Sequence, residues 1–246
     1  MARLTEKIAL VTGAGRGMGR VIALRLAQEG ATLVIHYGTS RSGADEGVEI
    51  IRGQGRKALA VQANLSRRAE VQRMFEEIDR EVGHVDIVVN SAGVSASTPL
   101  QSFKDEAVEE MLGVNLLGPL YVASEASKRM GVGGRIVNVS SSLAEFPLAG
   151  SSVYAGTKAA IKAFTEVWAK ELGPKGITVN TVIPGATSPG MMDSASAVHR
   201  EFFAKASPFS RIGRAEEIAS VVAFLCSPEA SWVSGAHILA NGAANA

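Results

Sequence analysis

Two residues four positions apart, Tyr154 and Lys158, are of types that can exchange a proton with a substrate oxygen. They lie in Tyr154-Ala-Gly-Thr-Lys158, where apolar residues recur at helical spacing up to Leu172. On a helix this spacing places both side chains on one face. A phenol has a pKa of about 10, and an adjacent ammonium favours its ionised form, so the pair could act as an acid–base couple. By itself the spacing is also that of an ordinary amphipathic surface pair.

A second motif has the composition of a phosphate-binding turn. The apolar run Lys7–Thr12 is typical of a buried strand, and Gly13-Ala-Gly-Arg-Gly-Met-Gly19 follows it, before a helical pattern. Strand, glycine-rich turn and helix in this order predict a dinucleotide site. We expect Gly13 to form the tight turn, and Gly17 and Gly19 to let the backbone and the helix N-terminus approach a pyrophosphate. The alternative is an ordinary glycine-rich turn.

The end of the second predicted strand favours NADP(H) over NAD(H). It continues as His36-Tyr-Gly-Thr-Ser-Arg41, with no carboxylate before Asp45. An NAD site usually places an acidic residue there to bind the ribose 2′-hydroxyl. Here Ser40, Arg41 and Arg16 could bind a 2′-phosphate instead. The alternative is that Ser40 and Arg41 belong to a solvated loop.

The elements that must position these motifs alternate between strand and helix along the whole chain. This alternation predicts an α/β fold, a doubly wound Rossmann fold whose parallel sheet carries helices on both faces, in a single domain over residues 1–246. Further strands end before the glycine or polar segments Asn90–Gly93, Ser140–Ser142 and Pro184–Gly185. Ligands of such sheets lie beyond the carboxyl ends of the strands, so these segments should meet in one cleft. Residues 186–214 are irregular and predict a substrate lid.

Composition excludes several function classes. The formal net charge of +1 gives no support for binding to nucleic acid or to a membrane surface. No apolar run reaches the length of about 18 residues that a membrane span needs, and the N-terminal residues lack a signal-peptide core, so we expect a cytoplasmic protein. The single cysteine, Cys226, excludes an intrachain disulfide and is expected to be buried. The histidines have no metal-type spacing, so no protein metal site is expected.

Taken together, the ordered motifs resemble those of the short-chain dehydrogenase/reductase family over essentially the whole chain. The matching residues are Thr12-Gly-Ala-Gly-Arg-Gly-Met-Gly19, Asn90-Ser-Ala-Gly93, Asn115, Ser140-Ser141, Tyr154-Ala-Gly-Thr-Lys158, Asn180 and Pro184-Gly185. The resemblance implies a sheet of about seven strands. Together with the residues above, it implies a binding site for NADP(H), with NAD(H) the less expected cofactor. The residues expected to form this site are Gly13, Arg16, Gly17, Met18, Gly19, Tyr37, Ser40, Arg41, Asn64, Leu65, Asn90, Ala92, Gly93, Tyr154, Lys158, Pro184, Gly185 and Thr187.

The resemblance also implies a catalytic tetrad of Asn115, Ser141, Tyr154 and Lys158. In that family Tyr154 would be the general acid in carbonyl reduction and the base in alcohol oxidation. Ser141, which lies 13 residues before it, would hydrogen-bond the reacting oxygen. Lys158 would hold the nicotinamide ribose and keep Tyr154 acidic. Asn115 would position a water for proton relay, although a lone Asn in a helix more often bonds locally.

Substrate contacts are expected from Ser141, Ser142, Tyr154 and Met191. Some features depart from the family pattern. Pro189 stands where a threonine often contacts the nicotinamide carboxamide, and Thr187 or Ser188 could substitute for it. The C-terminal segment, residues 233–243, lacks the usual Asp-Gly-Gly ending.

The closest pattern is the NADPH-dependent 3-oxoacyl-carrier-protein reductase branch, which implies a ketone or a thioester-linked 3-oxoacyl substrate. Lys175 matches one basic position expected to dock a carrier protein, whereas Val132 occupies the other, with Arg129 nearby. The alternative substrates are free small ketones, diketones or cyclic alcohols. A non-catalytic NADP-binding sensor would have lost the tyrosine, the lysine or the serine, and all are present. The family also implies a homo-oligomer, a dimer or tetramer built on the helices in residues 105–130 and 153–172.

Overall fold

Seven parallel strands form one sheet in the computed structural model, which describes residues 2–244. The strand order is β3-β2-β1-β4-β5-β6-β9. The predicted doubly wound sheet is therefore confirmed. The strands are β1 (Ile8–Val11), β2 (Thr32–Tyr37), β3 (Ala58–Gln62), β4 (Ile87–Asn90), β5 (Arg135–Val139), β6 (Thr178–Pro184), the short pair β7 (Thr187–Ser188) and β8 (Gly213–Arg214), and β9 (His237–Ala240).

Helices cover both faces of the sheet because successive strand residues point to opposite sides. In β1, Val11 belongs to one apolar cluster, which α1 and α8 complete, whereas Leu10 belongs to a second, completed by α3, α5 and α6. The helices are α1 (Gly17–Gln28), α2 (Arg41–Gly53), α3 (Arg68–Glu81), α4 (Asp105–Leu112), α5 (Gly118–Ser127), α6 (Ser152–Leu172), α7 (Ala197–Ala206) and α8 (Ala215–Cys226).

The long helix expected in residues 105–130 is interrupted. Between α4 and α5 the backbone forms a π-helical segment, Gly113–Leu117, which contains Asn115. Pro119 lies directly behind this segment, and a proline has no N–H to donate to the carbonyl four residues earlier. That carbonyl belongs to Asn115, so the regular helical hydrogen bond is lost at a predicted catalytic residue.

The segment 186–214 is more ordered than its sequence suggests. Its two ends pair as strands β7 and β8, with Thr187 opposite Gly213 and Ser188 opposite Arg214. Helix α7 lies between them. Strands of two residues have no periodicity, which is why sequence patterns do not detect this pair. The pairing joins both ends of the predicted lid at the edge of the sheet.

A chain of buried polar side chains ties three strands to α6. Asn90 Nδ2 donates to Asn138 Oδ1 at 2.9 Å, and Asn138 Nδ2 donates to Thr165 Oγ1 at 2.8 Å. The hydroxyls of Thr165 and Thr181 are 2.7 Å apart. All four side chains are buried, so each depends on its protein partners for hydrogen bonds. This network fixes α6 against β5 and β6.

Replacing Thr165 by valine should destabilise the fold, because Asn138 would lose its acceptor while the side-chain volume stays almost unchanged. We expect the free energy of unfolding in urea to fall by about 1–3 kcal/mol. Thr178→Val is the matched control, since the buried Thr178 hydroxyl finds no hydrogen-bond partner within residues 2–244. Its removal should leave stability unchanged or raise it. Equal losses in the two variants would contradict the role of the network.

Candidate functional site

Tyr154 and Lys158 lie on the buried face of α6, at 7% and 4% exposure, and so are not a surface pair. Lys158 Nζ donates to the carbonyl oxygen of Val139 at 2.9 Å and lies 5.9 Å from the centroid of the Tyr154 ring. The Ser140 hydroxyl donates to the main-chain oxygen of Lys158 at 2.8 Å. The end of β5 therefore holds both the backbone and the side chain of the lysine.

The electrostatics of this pair differ from the sequence-based expectation that Lys158 lowers the pKa of Tyr154. Burial raises the pKa of the Tyr154 phenol, and the Ser141 side chain offsets only part of that rise. Burial also lowers the pKa of Lys158 to about 8, because the ammonium loses its hydration. Desolvation is therefore the main cause of both pKa shifts. The phenol stays protonated at neutral pH, which suits a proton donor.

The three consecutive serines after β5 have different environments. The buried Ser140 hydroxyl is used to hold α6, as described above. Ser141 Oγ accepts a hydrogen bond from the N–H of Leu143 at 3.2 Å, which leaves its own hydrogen free to be donated. Ser142 lines a cavity beside the site. Of the three serines, Ser141 is therefore the one whose side chain lies next to Tyr154. Ser140 has a structural role, and Ser142 lines the cavity.

Asn115 does not bond locally, so that alternative is wrong. Its Oδ1 accepts from the N–H of Val94 and its Nδ2 donates to the carbonyl of Val94, both at 2.8 Å. These bonds fix the loop that follows β4. A Cβ atom on Gly93 would lie 3.4 Å from both Asn115 Oδ1 and Lys158 Nζ. The structure therefore brings Asn115, Lys158 and the predicted cofactor residue Gly93 together at one point.

The glycine-rich turn forms a close backbone cradle. Gly13 has a φ of +69°, and a Cβ there would lie 2.8 Å from Ala92 Cα. A Cβ on Gly19 would lie 2.6 Å from the carbonyl oxygen of Gly13. The first turn of α1 has no acidic residue, and within the described part of the chain no side chain caps it. Its free N–H groups and positive dipole end therefore suit a phosphate.

The other predicted residues of this turn are more peripheral. Arg16 is exposed directly before α1. Met18 is half-buried and packs on the core. A Cβ on Gly17 would lie 3.3 Å from Gly190 Cα, so the predicted lid passes next to the turn.

Ser40 and Arg41 belong to the start of a helix and not to a solvated loop. Ser40 directly precedes α2 and Arg41 is its first residue. The Arg41 side chain is 79% exposed and lies 3.6 Å from Asp45, a pair of small energetic weight at this exposure. Tyr37 is half-buried at the end of β2. A guanidinium, a hydroxyl and a helix N-terminus thus lie together where a 2′-phosphate is expected.

Leu65 and Asn64, both predicted to bind the cofactor, have different environments. The Leu65 side chain is buried in the core, where a Cβ on Gly118 would lie 3.1 Å from Leu65 Cβ, so only its main chain remains for a ligand. Asn64 is exposed, and its Oδ1 accepts from the N–H of Ser66 at 3.0 Å. Asn90 is mainly a sheet residue through its bond to Asn138, although its buried Oδ1 has no partner in residues 2–244.

Where the nicotinamide is expected, Pro184 closes β6 and Gly185 packs against the C-terminal segment. Thr187 Oγ1 donates to the carbonyl of Gly185 at 2.9 Å, and Ser188 Oγ donates to Asp193 at 2.6 Å. Both hydroxyls that could replace the missing threonine are therefore used as donors and keep only acceptor capacity. The Tyr154 hydroxyl donates to Met191 Sδ at 3.9 Å, so the predicted substrate residue Met191 lies next to the tyrosine.

An apolar cavity of about 380 Å³ opens beside this edge, a size in the range of small-molecule sites. Ser142 and Thr187 line its inner side, and β9 and the C-terminal segment line another. The rings of Phe202 and Phe203 meet edge to face with centroids 5.3 Å apart. Four phenylalanines line the cavity in all, Phe146, Phe202, Phe203 and Phe209.

Two supporting residues were missed by the sequence analysis. Thr12 Oγ1 accepts from the N–H groups of Ser91 and Ala92, at 3.0 and 3.1 Å. His36 is buried, its Nδ1 accepts from the N–H of Gly13 at 3.1 Å, and its Nε2 lies 3.0 Å from the carbonyl of Ala63. Because Ala63 offers only an acceptor, the proton sits on Nε2. In the sequence, the feature that points to both residues is a polar side chain at the carboxyl end of a buried strand.

Two features expected to be absent are a metal-binding cluster and a membrane-spanning helix. Within residues 2–244, no three His, Cys, Asp or Glu side chains are grouped to hold a metal ion. None of the helices in that range combines the length and the apolarity needed to span a bilayer. Cys226 is buried, as predicted, and burial raises the pKa of its thiol to about 12.

Comparison with known proteins gives consistent matches over the whole chain. The profile of a family described as Enoyl-(Acyl carrier protein) reductase matches residues 13–244. A hydroxynaphthalene reductase of Aspergillus fumigatus is 39% identical, over 94% of this chain and 90% of its own. A short chain dehydrogenase of Burkholderia cenocepacia, solved in complex with NADP, is similar with a TM-score of 0.94 and 37% identity, covering 99% of this chain and all of its own. The angucycline C-6 ketoreductase LanV, with bound NADP, has a TM-score of 0.93 and 37% identity, over 98% of this chain and 96% of its own.

The buried His36 should make stability depend on pH. Burial lowers its pKa to about 4, below the ordinary value of 6.5. Between these values the unfolded chain binds a proton that the folded chain does not, so the free energy of unfolding should fall as the pH drops from 6.5 to 4. The full effect would be about 3 kcal/mol. His36→Asn keeps an acceptor near the Nδ1 position and should lose this component in urea unfolding at a series of pH values. An unchanged pH profile in that variant would refute the assignment.

Proposed function

Because the chain belongs to the short-chain dehydrogenase/reductase family, we propose that this NADP(H)-dependent oxidoreductase reduces a free, ring-containing apolar ketone to a secondary alcohol. The observation that carries the substrate class is the cavity lined by four phenylalanines beside Ser142 and Thr187. Flat, apolar rings suit such a lining, since aromatic side chains offer large rigid faces for stacking. Relatives named hydroxynaphthalene reductase and angucycline C-6 ketoreductase support this class.

The residues present fit the cofactor. The closely packed Gly13 and Gly19, together with the uncapped start of α1, would hold the pyrophosphate, and Ser40 and Arg41 the 2′-phosphate. Lys158, whose Nζ would lie 3.4 Å from a Cβ on the predicted cofactor residue Gly93, would hold the nicotinamide ribose. When bound, the nicotinamide supplies or accepts the hydride.

The proton chemistry belongs to the protein. The protonated Tyr154 phenol would donate its proton to the carbonyl oxygen, and the free hydrogen of the Ser141 hydroxyl would stabilise the charge that develops there. Lys158 and Asn115 would return a proton to Tyr154 through a bound water. The Asn115 carbonyl suits this role because Pro119 cannot donate a helical hydrogen bond to it. Alcohol oxidation would reverse these steps.

A carrier-linked substrate has less support, because the surface expected to dock an acidic carrier is not basic. Arg129 bonds Asp79 at 2.7 Å and Glu125 at 2.9 Å, and its side chain is only 18% exposed. Its charge is therefore already neutralised. Val132 is 87% exposed and lies next to Gly176, which follows Lys175, so an uncharged side chain stands at the second expected basic position. These contacts favour a free ketone over a 3-oxoacyl thioester.

We also propose that the chain forms a dimer or tetramer in the cytoplasm. Apolar side chains that remain exposed near or on the helices expected to assemble, Leu112, Leu117 and Val167, support an interface between copies. The cytoplasmic location stays a prediction from the sequence.

Tyr154→Phe should remove the proton donor while leaving the cofactor site in place. Carbonyl reduction should fall by at least about 10²–10⁴-fold, with NADPH binding changed little in a fluorescence titration. Turnover that persists in the variant would sink the mechanism. If the unmodified protein bound NADPH but reduced no ketone, the non-catalytic sensor would be the better description.

Consumption of NADPH should be faster with fused-ring ketones than with 3-oxoacyl thioesters or small open-chain diketones. Phe203→Ala should raise the KM for a fused-ring ketone about ten-fold, since it removes apolar surface from the cavity, and change the KM for a small diketone little. Phe224→Ala is the control, because Phe224 is exposed on α8 outside the cavity. A preference for the thioester would restore the carrier-linked substrate.

A further inference from the structure

Two glycines let the start of α2 touch the glycine-rich turn, backbone against backbone. A Cβ atom on Gly43 would lie 2.1 Å from the carbonyl oxygen of Gly15. A Cβ on Gly15 would lie 2.9 Å from the carbonyl oxygen of Ser40. Real Cβ atoms essentially never come closer than 3.0 Å to such atoms. Neither position can therefore carry a side chain while the two segments keep this distance.

Arg20 holds the same two segments together. Its Nη2 donates to the carbonyl of Gly15 at 2.9 Å and to the carbonyl of Gly43 at 2.7 Å. Its Nη1 lies 2.9 Å from Glu46, one turn further along α2. The Arg20 side chain is only 21% exposed, so these charge-assisted bonds are partly shielded from water.

We propose that Gly43 and Arg20 are positioning residues that set the preference for a 2′-phosphorylated cofactor. The inference rests on the proposed contact of Ser40 and Arg41 with the 2′-phosphate. The pyrophosphate and the 2′-phosphate of one ligand are joined covalently, so their two sites must keep a fixed spacing. The contact between α2 and the glycine-rich turn sets this spacing, because Ser40 and Arg41 lie within three residues of Gly43.

The Cβ atom that Gly43→Ala adds should displace the start of α2 and leave the glycine-rich turn in place. The turn is fixed independently, since the N–H of Gly13 donates to His36 and its Cα packs on Ala92. The helix must therefore move away, and Ser40 and Arg41 move with it. Alanine is otherwise the better helix former, so a loss would not come from helix propensity.

The test compares two ligands that differ only in the 2′-phosphate, adenosine 2′,5′-bisphosphate and adenosine 5′-monophosphate, by isothermal titration calorimetry. Gly43→Ala should bind the bisphosphate at least about ten-fold more weakly, the size expected for a lost charge-assisted contact, and the monophosphate nearly as before. The NADPH-to-NADH ratio of kcat/KM should fall by a similar factor. Gly53→Ala is the matched control in the same helix, because a Cβ there meets nothing within 4 Å.

Arg20→Met provides a second variant if the alanine variant fails to fold, and it should weaken the bisphosphate selectively. Equal losses for both ligands, or an unchanged ratio in both variants, would overturn the proposal. If the unmodified protein bound the bisphosphate no better than the monophosphate, both this proposal and the assignment of Ser40 and Arg41 to the 2′-phosphate would be wrong. A preference that survives Gly43→Ala and Arg20→Met would refute the positioning role alone.

Discussion

The burial of Lys158 at the carboxyl end of β5 is the constraint on which the proposed catalytic half of the site depends. A buried ammonium loses hydration, which lowers its pKa to about 8, and the Val139 carbonyl compensates only in part. Such a group is kept in place because its helix is held firmly. Ser140 donates to the main-chain oxygen of the lysine in α6, and Asn138 donates to the Thr165 side chain of the same helix two turns further along. Tyr154 takes its position from the same helix, so both groups are oriented by the sheet.

The cofactor half depends on a different constraint, the absence of Cβ atoms where backbones meet. Gly13 contacts Ala92, Gly19 contacts Gly13, and Gly43 contacts Gly15. Turns packed this closely leave N–H groups without regular strand partners, and buried polar side chains bind several of them. His36 and Thr12 do so at the ends of β2 and β1. Within residues 2–244, no side chain caps the start of α1, where the pyrophosphate is proposed to bind.

The proposed substrate side is formed mainly by segments that lie outside the strands of the main sheet. The predicted lid and the C-terminal segment meet there, since Ser207 Oγ donates to the carbonyl of Gly242 at 2.6 Å and a Cβ on Gly185 would lie 2.9 Å from Asn241 Cα. Both segments line the apolar cavity. The C-terminal departure from the family pattern therefore bears on the shape of the proposed substrate site. The polar edge of the sheet, by contrast, keeps the residues that the family motifs predict.

Much of this protein follows from its sequence. Buried strands appear as apolar runs, glycines mark the phosphate turn, and the missing carboxylate after β2 predicted NADP(H), because these features depend on residues close together in the chain. The order of the motifs then placed the predicted tetrad at one edge of the sheet. Only the tertiary structure decided how these residues are surrounded. It raised the pKa of Tyr154 where a lowered one was expected, buried the side chain of Leu65, joined Asn115 to Val94 and placed Gly43 against Gly15. Desolvation and close packing depend on contacts between residues that are distant in sequence. The spacing of neighbouring residues along the chain therefore cannot predict these effects.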